Sequence, residues 1–415
     1  MKILYVCQYF PPEMGAPAAR ASELALHWTD LGHEVTILTG FPNHPTGVMP
    51  PEYRAKMRRF VAREQFGAAR VVRTWLVPRP NRNRGERMLN YSSFCLSAAM
   101  AGTFICRPDV VIATSPQLLV GLSGWWLSRI KRVPFIFEVR DLWPESLAAV
   151  GVGSETSTLY RALAGISGFL YRASEHIIVV SPAFKDRIVT DWKTPEAKIS
   201  VVENGVETDL FTPDIDDIAQ TRRELDIQQK FVVSYIGTLG NAAGLETLLE
   251  AADLLREDEE TIFLLVGEGA EKEKLLSEAQ RRGLKNIRFL EQQPRAKIPS
   301  LIRASDVCTV LLRRADVFDT VIPTKMLEFM STGRPIVLGV GGISRSIIDS
   351  AQAGIPIDSQ DASALVDAVR RLKDRPELRR EMGRNGRRHI LQSFSRRDLA
   401  ASYCRVLDSV INDRG

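Results

Sequence analysis

Short apolar runs alternate with amphipathic segments along nearly the whole chain. In the first half the apolar runs are KILYVC, HEVTILT, ARVVRTW, DVVIAT, PFIFEV and HIIVVS; in the second half they are KFVVSYIG, TIFLLVG, NIRFLE, DVCTVLL, PIVLGV and GIPI. Their length and composition predict strands, and the segments between them, such as 16–31, 85–106 and 154–173, have helical periodicity. Apolar strands joined by helices are typical of parallel sheets that are covered on both faces.

Two domains are predicted, because 415 residues exceed what one hydrophobic core normally fills. The alternation restarts near residue 200, where SVVENGVETDLFTPD ends a strand and turns at Asn204 and Gly205. We therefore predict an α/β fold with domains over 1–205 and 206–393, and a last helix, about 394–415, that packs back on the first domain. The segment 41–69 has no clear periodicity, and irregular segments of this length are usually functional.

The charge balance and the cysteines exclude few functions. Fifty-five basic and fifty acidic residues give a net charge of +5, which is compatible with an anionic ligand or an anionic membrane surface; no nucleic-acid partner is predicted. The five cysteines form no C-x-x-C pair, which is typical of reduced thiols in a cytoplasmic protein. The longest apolar stretches, 94–105 and 118–130, are too short to span a membrane, so we expect a soluble or peripheral protein.

The stretch DTVIPTKMLEFMSTGRPIV, residues 319–337, predicts a loop, a short helix and the start of a strand. Ile322 offers no side-chain oxygen to the first amides of the helix, Pro323 suits its first position, and Lys325 stands where the helix dipole is already positive. A bound anion would satisfy the amides and the lysine together. The alternative is that Lys325 is a surface lysine and Glu328 belongs to a capping turn.

Glycine-containing turns follow three of the predicted strands. Gly15 follows the first strand, where it serves either a close approach of backbone to phosphate or a plain strand-to-helix turn. Gly237 and Thr238 follow KFVVSYI, and Gly267 and Glu268 follow TIFLLV. The Gly15 turn lacks the spacing of a dinucleotide fingerprint. The two turns of the second domain together predict one wall of a nucleotide pocket, with Glu268 at its edge.

An ordered set of motifs runs through the chain: GHEVTILT, VVENGVETDLF, YIGTLG with GLETLLEAA, LLVGEGAEKEKL, ASDVCTVLL and PTKMLEFMSTGRPIV. This set resembles the family 4 glycosyltransferases of the GT-B fold over essentially the whole chain. FPPEMGAPAARASELA, FPNHPTG and RDLWPES resemble more closely a bacterial subgroup that adds sugars to surface polysaccharides and often uses lipid-linked acceptors. The resemblance implies two Rossmann-like domains that face a central cleft. It also implies sugar transfer from a nucleotide-sugar substrate with retention of configuration, without an essential metal or other cofactor.

The resemblance assigns the anion of the 319–337 helix to the diphosphate of the donor. It places Thr324 and Lys325 beside the diphosphate, next to Pro323, and gives Glu328 the ribose hydroxyls. Breaking a sugar–phosphate bond develops negative charge on the diphosphate, and helix amides together with a cation would stabilise that charge.

The chain departs from the family pattern at three donor positions. Thr320 stands where the E-x7-E motif has its first glutamate, and it keeps only a hydroxyl for a sugar contact. Thr238 and Ala243 stand where the family has a phosphate-binding arginine and lysine. The cations available as replacements are Lys325, Arg313 and Arg314. The first is favoured because it lies at the helix start.

Arg140, followed by Asp141, stands at the position of the family's common catalytic-site histidine, after PFIFEV. Arg140 is a candidate for binding acceptor phosphate, and Asp141 for orienting an acceptor hydroxyl. The lost histidine is compatible with activity, because the leaving phosphate can take the acceptor proton in the retaining mechanism that the resemblance implies. The alternative is an Arg–Asp ion pair that closes the turn. His44, among turn residues of the segment 41–69, is a further candidate for the cleft.

Four arginines precede an apolar helix and predict a surface for a membrane or a lipid diphosphate. They are Arg79, Arg82, Arg84 and Arg87. Trp143 and Glu145, in RDLWPES, are assigned to the same acceptor or membrane face. The alternative is a solvated basic edge over core helices.

The predicted function is transfer of a hexosamine-type sugar from a UDP donor to a polyprenyl-diphosphate-linked, oligosaccharide or polysaccharide acceptor. The protein is expected in the cytoplasm, peripheral to the inner face of the cytoplasmic membrane. Three alternatives share the architecture: a nucleotide-sugar 2-epimerase, a non-catalytic sugar-nucleotide-binding subunit, which the lost charged positions suggest, and a synthase of a soluble disaccharide.

Overall fold

The computed structural model describes residues 1–44, 47–80, 84–146, 157–214 and 218–413. The chain divides into two compact units, residues 1–204 with 396–415 and residues 205–395. Each unit is built on a sheet of mainly parallel strands, as the alternation of apolar runs and amphipathic segments predicts.

The strands of the first unit are β1 (Lys2–Val6), β2 (Glu34–Gly40), β3 (Val61–Phe66), β4 (Ala69–Thr74), β5 (Val110–Thr114), β6 (Phe135–Val139), β7 (His176–Val179) and β8 (Ile199–Val201). They form one sheet in the order β3-β4-β2-β1-β5-β6-β7-β8. Neighbouring strands pair in parallel, except that β3 and β4 are antiparallel.

Helices pack against this sheet. They are α1 (Ala16–Asp30), α2 (Pro51–Met57), α3 (Arg84–Thr103), α4 (Val120–Lys131), α5 (Thr158–Ala173), α6 (Pro182–Trp192) and, at the end of the chain, α15 (Arg396–Asn412). β5 and β6 are buried at every position, as is expected where both faces of a sheet are covered. α15 packs on α1 through the rings of Tyr403 and Trp28, whose centroids are 5.0 Å apart.

The segment 41–69 contains regular structure that its pattern does not predict. α2 begins at Pro51, and β3 forms an antiparallel hairpin with β4, in which Val61 pairs with Thr74. The expectation of an irregular segment was wrong because β3 is a partly buried edge strand, so its sequence, VAREQF, needs little apolar alternation.

The strands of the second unit are β9 (Phe231–Ile236), β10 (Thr261–Val266), β11 (Ile287–Leu290), β12 (Val307–Leu311), β13 (Ile336–Gly339) and β14 (Gly354–Pro356). They form a parallel sheet in the order β11-β10-β9-β12-β13-β14. Its helices are α7 (Ile218–Glu224), α8 (Glu246–Leu254), α9 (Lys272–Arg281), α10 (Ile298–Ala304), α11 (Thr324–Ser331), α12 (Gly342–Ala351), α13 (Ala362–Asp374) and α14 (Pro376–Ser393). Alternate residues of β10 enter two apolar cores, Leu264 in one and Leu265 in the other, so both faces of this sheet are covered.

Buried charges on α1 hold together distant parts of the first unit. Arg20 pairs with Glu138 of β6 at 2.8 Å and also donates to the carbonyl oxygen of Val202 at 3.1 Å. Arg396, the first residue of α15, pairs with Glu23 at 3.0 Å. α1 thus fixes the two segments at which the first unit ends and resumes along the chain.

Candidate functional sites

The helix α11 begins one residue later than its sequence predicts. Pro323 is the N-cap, with ψ of 124°, and Thr324 is the first helical residue. No side chain in the described ranges caps this helix, so its first amides are left for water or a ligand. At the other end, Gly333 has φ of 69°, and the left-handed turn lets Arg334 donate to the carbonyl oxygen of Phe329 at 3.0 Å.

Lys325 lies in the first turn of α11 with its ammonium group against the ring of Tyr235. The Nζ atom is 3.8 Å from the ring centroid, within the range of a cation–π contact. Among the described residues, none forms an ion pair or hydrogen bond with this ammonium group. Burial lowers the pKa of Lys325 to about 7, and the charge of Glu328 opposes that shift. The helix start therefore carries a cation that is available to an anionic ligand.

The two glycine turns of the second unit make room for this lysine. Gly237 has φ of 151°, and a Cβ atom on it would lie 2.6 Å from Nζ of Lys325. Gly267 has φ of 148°, and a Cβ atom there would lie 2.0 Å from the carbonyl oxygen of Gly237. Thr238 is exposed at the edge of the first turn. The turns after β9 and β10 thus pack backbone to backbone beside Lys325.

Glu328 is 7% exposed and forms an ion pair with Arg295. The guanidinium group of Arg295 also lies 4.6 Å from the ring centroid of Phe211. Glu328 is thus a buried carboxylate with a cation beside it. Arg295 could not be predicted from the sequence, because this residue follows β11 and no local spacing relates it to a glutamate 33 residues further on.

Other donor-side candidates are engaged within the protein. The hydroxyl of Thr320 is buried and donates to the carbonyl oxygen of Val317 at 2.6 Å. Glu268 forms an ion pair with Lys272, one helical turn further along. Both side chains would have to exchange these partners, or add to them, in order to contact a ligand.

The two alternative replacement cations differ from Lys325 in their surroundings. Arg313 pairs with Glu246 at 2.8 Å and donates to the carbonyl oxygen of Asn241 at 2.6 Å. Arg314 is exposed. Of the three candidate cations, Lys325 is therefore the one that is both half-buried and without an ion pair to any described residue.

In the first unit, Arg140 follows β6 and binds the first turn of α1. Its guanidinium group donates to the carbonyl oxygens of Ala16 at 3.2 Å and Pro17 at 3.4 Å, and its backbone amide donates to the hydroxyl of Ser115 at 2.7 Å. The predicted alternative, an ion pair between Arg140 and Asp141, is not formed by these two described residues. The Nε atom of Arg140 is buried without a hydrogen-bond partner in the structure as described.

Gly15 precedes this turn and caps α1. Its φ of 133° lies in the region that favours glycine, whereas a Cβ atom would meet nothing closer than 3.8 Å. Gly15 therefore shapes the turn whose carbonyl oxygens Arg140 binds. A small pocket lies beside this turn, at the carboxyl ends of β1, β5 and β6, the edge at which sheets of this type bind ligands.

Asp141 is half-buried, and burial raises its pKa to about 6 against the opposing charge of Arg140. Burial also raises the pKa of Tyr91, and the charge of Asp141 raises it further. The hydrogen bond from Tyr9 and the charge of Arg87 oppose this shift. Asp141 and Arg87 therefore lie within electrostatic reach of one tyrosine. Neither Tyr9 nor Tyr91 could be predicted from the sequence, because they come from separate segments and resemble ordinary core residues.

His44 belongs to the same neighbourhood. Its ring lies edge-on to the ring of Tyr9, with centroids 4.8 Å apart. The backbone amides of Asn43 and His44 both donate to Oε1 of Glu13 at 2.9 Å. Glu13 is buried, and burial raises its pKa to about 7 in spite of its backbone hydrogen bonds. This carboxylate, which sequence analysis missed, anchors the loop that presents His44.

The structure describes the side chains of two of the four arginines in the predicted basic face. Arg79 is exposed, but Arg87 is half-buried, and its charge lowers the pKa of His44, after the larger effect of burial. Arg82 lies outside the described residues; Arg84 begins α3, but its side chain is not among those described. Trp143 was assigned to an acceptor or membrane face. Its side chain is 8% exposed, with the ring centroid 6.4 Å from that of Tyr91, so it does not lie on an exposed membrane face.

Glu145 is half-buried beside Trp192 rather than free in solvent. Burial raises its pKa, and the hydrogen bonds that it accepts oppose the shift. No group of three or more His, Cys, Asp or Glu residues in the described ranges could hold a metal ion. Within the same ranges, no helix is long and apolar enough to cross a membrane.

Two family models match the chain in succession. The glycosyl transferase 4-like domain matches residues 15–205, and the glycosyl transferases group 1 model matches residues 217–389. WcaI of Escherichia coli K12, a glycosyl transferase assigned to colanic acid biosynthesis, is 27% identical over 354 residues, which are 81% of this chain and 83% of WcaI.

Solved structures resemble the whole chain. Sucrose-phosphate synthase from Thermosynechococcus elongatus has a TM-score of 0.76 at 20% identity, with 99% of each chain covered. HepE of Anabaena in complex with UDP-glucose has a TM-score of 0.73 at 17% identity, with 99% of this chain and all of HepE covered. At these identities the likeness shows the fold. The chain is a glycosyltransferase of the GT-B fold, with a glycosyl transferase 4-like unit and a group 1 unit, so the expectation from the motifs is confirmed at this level.

Proposed function

We propose that this glycosyltransferase moves a hexosamine-type sugar from a UDP donor to a polyprenyl-diphosphate-linked or polysaccharide acceptor in bacterial surface-glycan synthesis, with retention of configuration. The observation that carries the donor side is Lys325, a desolvated cation without an ion pair among the described residues, at the uncapped start of α11. Two glycine turns adjoin it. Such a start binds diphosphate through amides, dipole and cation together.

The group 1 unit supplies the donor site in this proposal. Glu328 accepts hydrogen bonds from the ribose hydroxyls, while Arg295 pairs with its buried carboxylate. Lys325 and the amides of Thr324 and Lys325 bind the diphosphate. These groups stabilise the transition state more than the bound donor, because negative charge grows on the diphosphate as the sugar–oxygen bond breaks.

The 4-like unit supplies the acceptor side. Asp141 accepts a hydrogen bond from the attacking hydroxyl, and Arg140 and Arg87 attract a diphosphate on the acceptor. The bond from the anomeric carbon to the diphosphate oxygen breaks, and the bond to the acceptor oxygen forms on the same face of the sugar. The acceptor proton passes to the leaving diphosphate, so the reaction needs no protein nucleophile.

A metal is not needed in this scheme, because Lys325 and the helix amides meet the charge of the diphosphate. Activity should therefore persist in EDTA. A strict requirement for a divalent ion would contradict this part of the proposal. We place the protein in the cytoplasm, peripheral to the membrane that carries the acceptor; the relative WcaI, assigned to colanic acid biosynthesis, supports surface-glycan synthesis.

The test begins with a thermal-shift screen of UDP, GDP and ADP and of their hexose and N-acetylhexosamine derivatives. A ligand that binds only the folded state stabilises it by about 2.7 kcal/mol at a hundred times its Kd. We expect the largest shift with UDP-N-acetylhexosamines and a much smaller shift in Lys325→Met. A larger shift with GDP- or ADP-sugars would overturn the assignment of the nucleotide.

Product analysis then separates the alternatives. With a membrane extract as acceptor source, the labelled sugar should become attached through a new glycosidic bond. Release of a free epimer would indicate a 2-epimerase, and binding without turnover or slow hydrolysis would indicate a non-catalytic subunit. Transfer to a small soluble sugar would indicate a disaccharide synthase.

A further inference from the structure

Five large apolar side chains of the first unit are exposed on two neighbouring helices. They are Leu96, Met100 and Phe104 on α3 and the turn after it, and Trp126 and Ile130 on α4, with exposed fractions of 66%, 53%, 85%, 47% and 44%. We call this set the apolar patch. Single exposed apolar residues are ordinary, whereas a contiguous group marks an interaction surface.

Contacts between the two helices show that the five side chains share one side of the pair. Ser123 of α4 donates to the carbonyl oxygen of Cys95 on α3 at 3.1 Å, and Lys131 donates to that of Thr103 at 3.1 Å. The residue numbers of the contacting positions increase together along both helices, so α3 and α4 run parallel.

Successive residues turn by about 100° around a helix. Consider two right-handed helices that run parallel and touch. The residue just after a contact position on one helix then points to the same side of the pair as the residue just before a contact position on the other. Leu96 and Phe104 follow Cys95 and Thr103 on α3, and Ile130 precedes Lys131 on α4. Met100 and Trp126 lie one turn from these members. The patch is thus continuous across the two helices.

Basic residues border the patch at the ends of the two helices. Arg107, Arg129 and Arg132 are exposed, and Arg107 donates to the carbonyl oxygen of Arg132 at 3.4 Å, which brings the two chain segments together. Residues 84–132 contain six basic side chains and two acidic ones, Glu86 and Asp109. A positive border beside an apolar surface attracts anionic partners.

We propose that the apolar patch docks on a membrane that contains anionic lipids, with Phe104 inserted furthest and the three arginines at the level of the headgroups. Aromatic and aliphatic side chains beside arginines are the composition of surfaces that lie in the membrane interface. Since no described helix could span the bilayer, the contact is interfacial. The inference deepens the peripheral association within the proposed function and is independent of the donor residues.

This surface differs from the basic face that the sequence suggested. Arg87 belongs to the predicted basic face and lies in α3. Its charge lowers the pKa values of His44 and Tyr91. It therefore faces the candidate acceptor site. The membrane contact moves to the opposite, C-terminal end of α3, where the exposed apolar side chains are found.

Vesicle sedimentation of the full chain tests the proposal. The probes are vesicles of phosphatidylcholine alone and vesicles with equal parts of phosphatidylglycerol. Met100→Ser/Phe104→Ser removes two exposed side chains with little effect on the fold, and Arg107→Gln/Arg129→Gln removes charge from the border. Leu254→Ser/Leu391→Ser is the matched control, because both leucines are similarly exposed on helices of the second unit.

We expect the wild type and the leucine control to bind the anionic vesicles alike and the neutral vesicles more weakly. Met100→Ser/Phe104→Ser should lower the partition constant about tenfold or more. Arg107→Gln/Arg129→Gln should lower it about fivefold for each arginine and reduce its dependence on salt. All variants should keep the UDP affinity of the wild type, so a failure here is distinct from failure of the donor site.

Three results would overturn the docking proposal. The first is equal binding of the wild type and Met100→Ser/Phe104→Ser. The second is wild-type binding that is no stronger on anionic than on neutral vesicles. The third is a concentration-dependent dimer that the same variant dissociates, without vesicle binding by the wild type, which would assign the patch to a second copy of the chain.

Discussion

The ammonium nitrogen of Lys325 lies 3.8 Å from the centre of the Tyr235 ring. The ring stabilises a cation without contributing a negative charge, so a protonated Lys325 keeps its full charge for a ligand. Burial lowers the pKa of this lysine to about 7, so about half of the molecules carry the charge at neutral pH. An anion that binds here should therefore draw a proton onto Lys325.

The affinity for UDP should consequently depend on pH. Below pH 7 the free protein already carries the charged lysine, and affinity is at its maximum. Above pH 7, binding must include proton uptake, so affinity should fall by up to about tenfold per pH unit until the pKa of the complex is reached. Calorimetry at pH 8 in buffers of different ionisation heat should show uptake of close to one proton.

Lys325→Arg is the matched variant for this test, since arginine keeps its charge throughout this range. It should show no proton uptake at pH 8 and a flatter pH profile, while Lys325→Met should bind UDP weakly at every pH. An identical proton uptake in wild type and Lys325→Arg would mean that another group titrates on binding.

Gly237→Ala should weaken UDP binding although it adds only a methyl group. The new Cβ atom would lie 2.6 Å from Nζ of Lys325 and must displace it from the Tyr235 ring. The φ of 151° adds backbone strain of about 1 kcal/mol or more. Calorimetry on the folded variant should show a loss of about tenfold or more in affinity, in line with a charge-assisted contact.

Gly240→Ala controls for a glycine change in the same loop. Its φ is −110°, and the nearest atom to a new Cβ lies at 3.6 Å, so alanine fits without displacement. It should retain wild-type affinity. Equal affinities of the two alanine variants would show that the position of the lysine does not govern binding.

Glu328→Ala should weaken UDP binding about tenfold or more, because two ribose hydroxyls lose a charged acceptor. The sharper comparison uses 2′,3′-dideoxy-UDP, which lacks both hydroxyls. Wild type should bind this analogue as weakly as Glu328→Ala binds UDP, and the variant should bind both ligands alike. Glu246→Ala is the control, because the carboxylate of Glu246 pairs with Arg313 and Lys274. This variant should show the same difference in affinity between UDP and the dideoxy analogue as wild type. If the losses of affinity from the analogue and from the Glu328→Ala variant were additive, the assignment of Glu328 to the ribose would be contradicted.

The fold was largely predictable because the information is local. A buried parallel strand must be apolar on both faces, so runs such as TIFLLV show their position directly, and the parallel pairing follows from the helices between them. β3 was not predicted, because an edge strand that is partly exposed to solvent needs no continuous apolar run. The start of α11 was misplaced by one residue because Pro323 suits both the N-cap and the first turn.

The candidate sites were predictable only in part, for the same reason. Lys325 and Glu328 share one short helix, so their spacing in the sequence already places them near each other. Arg295 reaches Glu328 from another segment, and Tyr9 reaches His44 across the carboxyl edge of a sheet. Nothing in the spacing of these residues relates them. Burial, which raises the pKa of Asp141 and lowers that of Lys325, also exists only after folding.

Arg20→Met should destabilise the first unit strongly. It leaves Glu138 buried without its cation, and breaking a buried pair costs about 3–5 kcal/mol. Arg20→Met/Glu138→Gln should recover a large part of the loss, because glutamine can still accept the hydrogen bond that Tyr5 donates to Glu138 at 2.7 Å. Denaturant unfolding measures both, and Arg281→Met, at an exposed pair, should match wild type. A double variant no more stable than Arg20→Met would show that the carbonyl contacts of Arg20 dominate.

Asp141 should control the acid side of the pH dependence of kcat. With its pKa raised to about 6, this carboxylate is ionised at pH 7.5 and mostly protonated at pH 5. If it accepts the hydrogen bond of the attacking hydroxyl, kcat should fall on the acid side of pH 6, tenfold per unit at the limit. Asp141→Asn should lower kcat by about 10²-fold or more at pH 7.5 and remove this acid limb, while UDP affinity stays unchanged.

Glu13 is the necessary control, since burial raises its pKa to about 7 and it also lies in the first unit. Glu13→Gln replaces the carboxylate that accepts from the amides of Asn43 and His44 with a neutral group of the same shape. If Asp141 causes the acid limb, Glu13→Gln should keep that limb near pH 6 even if its rate is lower. If the limb persists in Asp141→Asn and vanishes in Glu13→Gln, the titrating group is the carboxylate that anchors the His44 loop, and Asp141 loses its assigned role.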